Sequence, residues 1–259
     1  MHTKEQKLAA FSRVLDIMDE LREKCPWDRK QTLETLRHLT IEETYELSDA
    51  IVQNNPSELK KEIGDVFLHL VFYAKIASEQ NMFDICDVLD ALSDKLISRH
   101  PHIYGDAVAN TEEEVRENWE QLKLKEGNKS VLSGVAKGTP SIVKAYRMQE
   151  KAAQVGFDWE TPEQVWAKVY EELDEFKQEI QQNNKSAAQD ELGDLFFALI
   201  NVARKYQLNP DDGLEHTNQK FQNRFMYIES QLQTNQQQFS ELNLEQLDHY
   251  WNEAKSKGI

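Results

Sequence analysis

The sequence predicts an all-α protein made of two tandem copies of a four-helix unit joined by a linker helix. Three observations predict it. Glycine and proline are scarce, 9 and 6 of 259 residues, which leaves few of the tight turns that all-β folds need. Apolar residues recur at spacings of three and four through most of the chain, the period of a helix with one buried stripe. Residues 41–75 recur at 170–204 without a gap, a shift of 129.

The elements follow in order. Leu8, Phe11, Val14, Leu15, Met18 and Leu21 form the stripe of a first helix. Cys25-Pro26-Trp27-Asp28 ends it, because proline disfavours helix in the residue before it. The period then predicts helices near 32–54, 57–80, 84–99 and 111–126. Residues 127–140, GNKSVLSGVAKGTP, are rich in Gly and Ser and read as linker. Helical periodicity resumes over 141–155 and is broken by Val155-Gly156-Phe157-Asp158-Trp159. Four more helices are predicted near 161–183, 186–206, 210–232 and 243–257. Thr161-Pro162-Glu163 is a start signal, with proline at the first helical position. The resulting division is an N-terminal helix (1–28), a first domain (29–126), a linker with its helix (127–157) and a second domain (158–259).

The repeat is chemical as well as structural. At the shift of 129, Glu42, Glu43, Glu46, Glu62 and Asp65 fall on Glu171, Glu172, Glu175, Glu191 and Asp194. Gln-Asn-Asn at 53–55 falls on 182–184, and Gly64 on Gly193. Lys95 and Arg99 pair with Lys220 and Arg224, and Trp119 and Lys123 with Trp251 and Lys255, at slightly different shifts. Residues three apart share a helix face, and a short connection makes the two acidic helices antiparallel neighbours. Four carboxylates then converge. Two like charges about 4 Å apart repel by roughly 4 kcal/mol at an effective dielectric of 20, so the cluster needs lysine, protons or a metal as counter-charge. Oxygen-only ligands favour Mg²⁺, Mn²⁺ or Ca²⁺ over Zn²⁺. Gly193, Ala187, Ala188 and Ala198 are expected to let the helices approach closely. A solvated acidic face is the plain reading of one such run. The same five acids at the same spacing twice, one pair inside LGDLFFALI, favour metal.

Other function classes recede. Lys plus Arg is 30 and Asp plus Glu is 46, a formal charge of −16, and the pI is near 4.9. That balance argues against nonspecific binding to nucleic acid or to an anionic membrane. Two cysteines make neither a disulfide framework nor a Cys-rich zinc site. No signal peptide or run of 18 apolar residues occurs, so a cytoplasmic protein is expected. No G-x-x-x-x-G-K-[ST] occurs, which excludes a P-loop. His69, inside VFLHLVF, reads as a core histidine, and His100-Pro101-His102 as a loop or phosphate contact.

Glu-Glu-x-x-Glu followed by Glu-x-Gly-Asp is similar to the signature of the all-α nucleoside triphosphate pyrophosphohydrolases. CPWDRKQT (25–32), LTIEETYEL (39–47), SRHPHIYGD (98–106), VGFDW (155–159) and KVYEELDEF (168–176) resemble their MazG branch. With the doubled unit, the resemblance covers nearly the whole chain. It implies two four-helix MazG-type units and hydrolysis of NTP or dNTP between the α and β phosphates, giving a nucleoside monophosphate and pyrophosphate. It implies Mg²⁺, with Mn²⁺ as a substitute, on Glu172, Glu175, Glu191 and Asp194, and in the first copy on Glu43, Glu46, Glu62 and Asp65, with Glu42. Glu171, Glu172 and Glu175 are the candidate catalytic acids. Lys168, Glu171, Glu172, Asp194, Lys220, Arg224 and Trp251 match nucleotide-binding positions, with Trp251 suited to stack on the base. The first copy has Leu39 where the second has Lys168, so the second copy is expected to carry most of the activity. A homodimer is implied too. The competing classes are a nucleotide-binding regulatory module with little turnover and a helical scaffold with acidic faces.

Overall fold

The computed structural model describes residues 1–109, 111, 114–115 and 130–259. Most of the helix expected over 111–126, together with Trp119 and Lys123, lies outside the described residues. Among the described residues there are ten α-helices and no strand. They are α1 (Lys4–Lys24), α2 (Leu33–Val52), α3 (Pro56–Glu79), α4 (Ile85–Arg99), α5 (Pro101–Tyr104), α6 (Ser141–Gln154), α7 (Pro162–Gln181), α8 (Lys185–Lys205), α9 (Pro210–Thr234) and α10 (Leu244–Ser256). No described helix is long and apolar enough to cross a membrane. The chain divides into two compact units, residues 1–109 and 110–259.

In the first unit α2 and α3 form an antiparallel hairpin, and α1 and α4 pack against α3. In the second, α7 and α8 form the hairpin, α6 packs on α8, and α9 pairs with α10. The starts are set by local chemistry. Thr32 caps α2 by accepting from the Thr35 N–H, and Thr161 begins α7 in a reciprocal cap with Gln164. The turn between the hairpin helices is the repeated Gln-Asn-Asn. Asn54 and Asn183 take the left-handed conformation, at φ 49° and 56°, a region that asparagine enters more readily than most residues. Asn55 and Asn184 then cap the second helix of each hairpin with their side-chain oxygens. One tripeptide thus fixes the register of both hairpins.

The two cores differ at matched positions. The first is built on Met18, Leu36, Val71, Phe72 and Ile76. Beside it, Thr40 Oγ1 lies 2.8 Å from His69 Nδ1, 2.6 Å from Tyr73 Oη and 3.0 Å from the Leu36 carbonyl. His69 is buried, and burial pushes its pKa down while Asp65 pulls it up; it is the satisfied core histidine expected from the sequence. In the second unit the three positions are Val169, Ala198 and Val202, all in the apolar core with Val165. Thr40→Val in the first unit is therefore expected to destabilise it by about 1–3 kcal/mol, because it strands two polar partners. Urea unfolding of the wild type and the variant checks this; an unchanged midpoint would show the three groups to be independent of one another.

Candidate metal and triphosphate site

Each hairpin places its acids at neighbouring turns of two antiparallel helices. In the second unit, carboxylate oxygens of Glu172, Glu191 and Asp194 all lie within 4.8 Å of one another, as do those of Glu171, Glu172 and Glu175. Glu172 belongs to both groups and is buried, with 5% of its surface exposed. Lys168, one turn earlier on α7, places Nζ 2.9 Å from Glu171 Oε1 and 2.5 Å from Glu172 Oε1. In the first unit, Glu43, Glu62 and Asp65 converge in the same way. Glu62 is 3% exposed. Its Oε1 accepts from Lys61 Nζ at 2.8 Å, while its Oε2 is buried with no hydrogen-bond partner among the described residues. Glu46 reaches Lys61 at 4.0 Å, and Glu42 is exposed on the same helix.

The electrostatics record the crowding. Burial raises the pKa of Glu43, and Asp65, Glu46, Glu62 and Glu42 raise it further. Glu191 is raised by desolvation and then by Glu175, Glu172, Asp194 and Glu179. Lys168 is held protonated by its bonds to Glu171 and Glu172. Carboxylates that lift one another's pKa, together with a buried oxygen lacking a partner, form the donor set that a hard divalent cation satisfies. The acidic clusters therefore fit a divalent metal.

Other expected site residues stand apart. Arg224 lies over the Trp251 ring at 5.4 Å and donates from Nε to the Ile259 carbonyl at 2.8 Å. Phe221 packs on Trp251 at 5.3 Å, and Lys220 is one turn before Arg224 on α9. Among the described residues no hydrogen bond or ion pair joins this group to the carboxylates. The expectation that Gly193 lets the helices close is corrected: a Cβ there, or at Gly64, would meet nothing within 4 Å. Ala188 and Ala198, expected alongside it, are both buried.

Two participants escaped the sequence reading. Lys61 is the first unit's lysine, supplied from α3 rather than from the α2 position held by Leu39. Its counterpart at the shift of 129 is Asp190, so the repeat hides the swap. Glu179, whose Oε2 is buried without a partner among the described residues, adds a further charge facing Glu191. Its counterpart is Ala50, so the search for acids shared by both copies passed over it.

With this geometry in view, comparison with known proteins is direct. The MazG nucleotide pyrophosphohydrolase domain matches residues 31–104 and 160–227. The chain is 38% identical over 258 residues to the nucleoside triphosphate pyrophosphohydrolase of Escherichia coli (strain K12), covering 96% of this chain and 98% of that one. It is 40% identical over 250 residues to the nucleoside triphosphate pyrophosphohydrolase/pyrophosphatase MazG of Thermotoga maritima, with 95% of each chain covered. The Bacillus subtilis protein YabN is 41% identical over 263 residues, which span 97% of this chain and 53% of YabN. These matches, and two acidic hairpins in one all-α chain, define a tandem helical nucleotide pyrophosphohydrolase fold. The chain belongs to the MazG family.

The raised carboxylates carry a stability consequence. Glu43 and Glu191 hold protons more tightly folded than unfolded, so their contribution is fully present below the ordinary glutamate pKa. It is lost as pH rises through the raised value. In chelator, Glu43→Gln/Glu191→Gln is expected to flatten the fall in thermal midpoint across that window. A divalent cation, which favours the ionised clusters, should flatten it in the wild type. Superimposable slopes for variant and wild type would refute the shifts.

Proposed function

We propose that this protein hydrolyses nucleoside triphosphates between the α and β phosphates, releasing a nucleoside monophosphate and pyrophosphate in a Mg²⁺-dependent reaction that Mn²⁺ also supports. The observation that carries the reading is the convergence of Glu172, Glu191 and Asp194 within 4.8 Å, beside Glu175 and Lys168, in a chain of the MazG family. The Escherichia coli and Thermotoga maritima relatives are pyrophosphohydrolases by name, which supports the same reading.

Glu172, Glu175, Glu191 and Asp194 would hold the cation. When bound, it supplies charge neutralisation for the triphosphate and acidifies water. Glu171 and Glu175 are exposed at the rim of the cluster, and either would orient or deprotonate the attacking water. Lys168 is within one turn of the acids, and its Nζ exchanges a carboxylate for a phosphate oxygen when substrate arrives. Lys220, Arg224 and Trp251 supply further cationic and stacking contacts from the α9–α10 pair. Glu43, Glu46, Glu62 and Asp65, with Glu42, form a second and slower site. A homodimer is supported by apolar side chains left exposed at matched positions of α3 and α8: Phe67 and Leu70, Phe196 and Leu199.

Glu172→Gln or Asp194→Asn should lower pyrophosphate release by about 10²-fold or more, since the cation contributes several kcal/mol to the transition state, with helix content unchanged by circular dichroism. Wild-type rates in both variants would refute the site.

The division of labour is tested by pairing Glu43→Gln/Asp65→Asn with Glu172→Gln/Asp194→Asn. The first pair should leave most of the activity and the second should remove it. Lys168→Ala alone should cost one to two orders of magnitude in rate, equivalent to about 1.5–3 kcal/mol for a charge-assisted bond. The reverse pattern would assign the main site to the first unit.

A further inference from the structure

Among the described residues each acidic cluster has one deeply buried glutamate, and in each a lysine holds it. The two pairs are not equivalent under the repeat. In the second unit both partners stand on the first arm of the hairpin: Glu172, 5% exposed, pairs with Lys168 Nζ at 2.5 Å. In the first unit both stand on the second arm: Glu62, 3% exposed, accepts from Lys61 Nζ at 2.8 Å. At the shift of 129, Lys168 falls on Leu39 and Lys61 on Asp190. Neither lysine has a counterpart in the other copy, yet each copy has one.

The change of arm alters what the lysine can do. Lys168 has two carboxylate partners, so when Glu172 is taken Glu171 remains at 2.9 Å. Lys61 has one hydrogen-bond partner among the described residues. Its next carboxylate is Glu46 on the opposite arm, at 4.0 Å, beyond hydrogen-bonding distance and itself a candidate ligand. Glu58, a turn earlier on α3, adds its field but forms no ion pair with it. The Lys61 side chain is 59% exposed, so Nζ stands at the open side of the cluster on a flexible stem, whereas Glu62 is fixed in the interior with Oε2 unpartnered among the described residues. A divalent ion that takes Glu62 sets two cations on one buried carboxylate, where salt and water screen little. Lys61 then has no second carboxylate to bond, and a phosphate oxygen is the partner that restores its charge-assisted contact.

We propose, resting on the assignment of Glu43, Glu62 and Asp65 as a second cation site, that Lys61 is the first unit's phosphate-binding lysine and couples its cation to its triphosphate. With the site empty, Nζ holds Glu62 and opposes a bare divalent ion. When the ion arrives on a triphosphate, Nζ leaves Glu62 for a phosphate oxygen and Glu62 goes to the ion. The first unit therefore takes the cation together with the triphosphate rather than ahead of it. The lysine missing at Leu39 is supplied from the opposite arm.

The test is calorimetric titration of the full chain carrying Glu172→Gln/Asp194→Asn, which disables the second cluster. The titrants are Mn²⁺ alone and the Mn²⁺ complex of inorganic triphosphate. The complex is expected to bind more tightly than the bare ion. Adding Lys61→Met should tighten bare Mn²⁺ about fivefold, the upper range for a half-exposed ion pair that no longer competes. The complex should bind about twofold more weakly, so that its advantage over the bare ion falls about tenfold, the loss of one charge-assisted contact. Damage to the cluster would weaken both titrants together, so the opposite signs separate exchange from misfolding. Lys61→Arg should restore both affinities, and Lys60→Met, the same charge removed from the adjacent position, should change neither. Lys61→Gln, which keeps an N–H for Glu62 without the charge, takes the place of Lys61→Met should that variant not fold. Unchanged affinities overturn the proposal. A tighter bare ion with an undiminished advantage for the complex also overturns it, because the lysine then never leaves for phosphate. No Mn²⁺ binding in this background, with or without Lys61→Met, overturns it together with the first-unit cation site. Hydrolysis at Glu172 and Asp194 is tested by its own assay in the chain with the second cluster intact, so its failure is distinguishable from either.

Discussion

The constraint on which the rest of this structure depends is mutual repulsion among carboxylates held within 4.8 Å on the two arms of a hairpin. At that spacing each pair costs several kcal/mol at an effective dielectric of 20, against a net stability of about 5–15 kcal/mol for a typical domain. The arms must therefore be held by something that does not yield. In the second unit that is the dry contact of Val165 and Val169 with Ala198 and Val202. In the first it is Leu36 against Val71 and Phe72, reinforced by the Thr40, His69 and Tyr73 contacts. Each core sits a turn or two from the acids along the same helices, so packing energy at one place is spent as strain at another. That is the usual relation between a binding site and its scaffold.

Both copies also soften the repulsion with a lysine, and they do it from opposite sides. Lys168 reaches Glu171 and Glu172 along its own helix. Lys61 is the immediate neighbour of Glu62 and spans toward Glu46 on the other arm. A cation on the same helix one turn away leaves the gap between the arms clear. A cation beside the buried acid competes more directly for the oxygens that a metal would use. The one oxygen it leaves unanswered is Glu62 Oε2. The two sites thus share their donors and differ in where their resident counter-charge stands.

Much of this was legible in the sequence because it is periodic. The helix stripes, the Gln-Asn-Asn turn and the five repeated acids are patterns of residues that are present, and the helices at 32–54, 57–80, 161–183 and 186–206 are observed at 33–52, 56–79, 162–181 and 185–205. Of the small residues expected to let the helices close, Ala188 and Ala198 are buried, whereas a Cβ at Gly193 would meet open space; glycine next to a functional acid suggests a close approach that this position does not make. Lys61 was hidden because it aligns with Asp190 and so looks like a difference in surface charge. Whether Lys220, Arg224 and Trp251 serve the acids cannot be read from spacing, since they sit on a different pair of helices.

A cavity of about 510 Å³ between α6, the 155–161 loop and α8 is a case of what a sequence conceals by omission. Ala152 and Asn201 carry no signal by themselves; alanine is at home in any helix. They become informative only beside Arg22 and Phe72. The comparison requires a shift of 130 for the helix before the hairpin and 129 for the hairpin, because the second copy is one residue shorter in the break between them. Arg22 lies against the Phe72 ring, donates to the carbonyls of Asp28 and Gln31, and pairs through its other nitrogens with Glu79. Removing it without replacing the buried volume would ordinarily create an apolar void costing about 20–30 cal/mol per Å³, and the neighbouring side chains would be expected to collapse into it. Here the walls stay apart. The 155–161 loop is tied to α8 by Asp158 through Arg204 and Lys205, and Gln149 is tied to the α8 backbone at Phe197. Polar contacts on two sides, Asp158 with Arg204 and Lys205 and Gln149 with the Phe197 carbonyl, hold the aromatic walls apart.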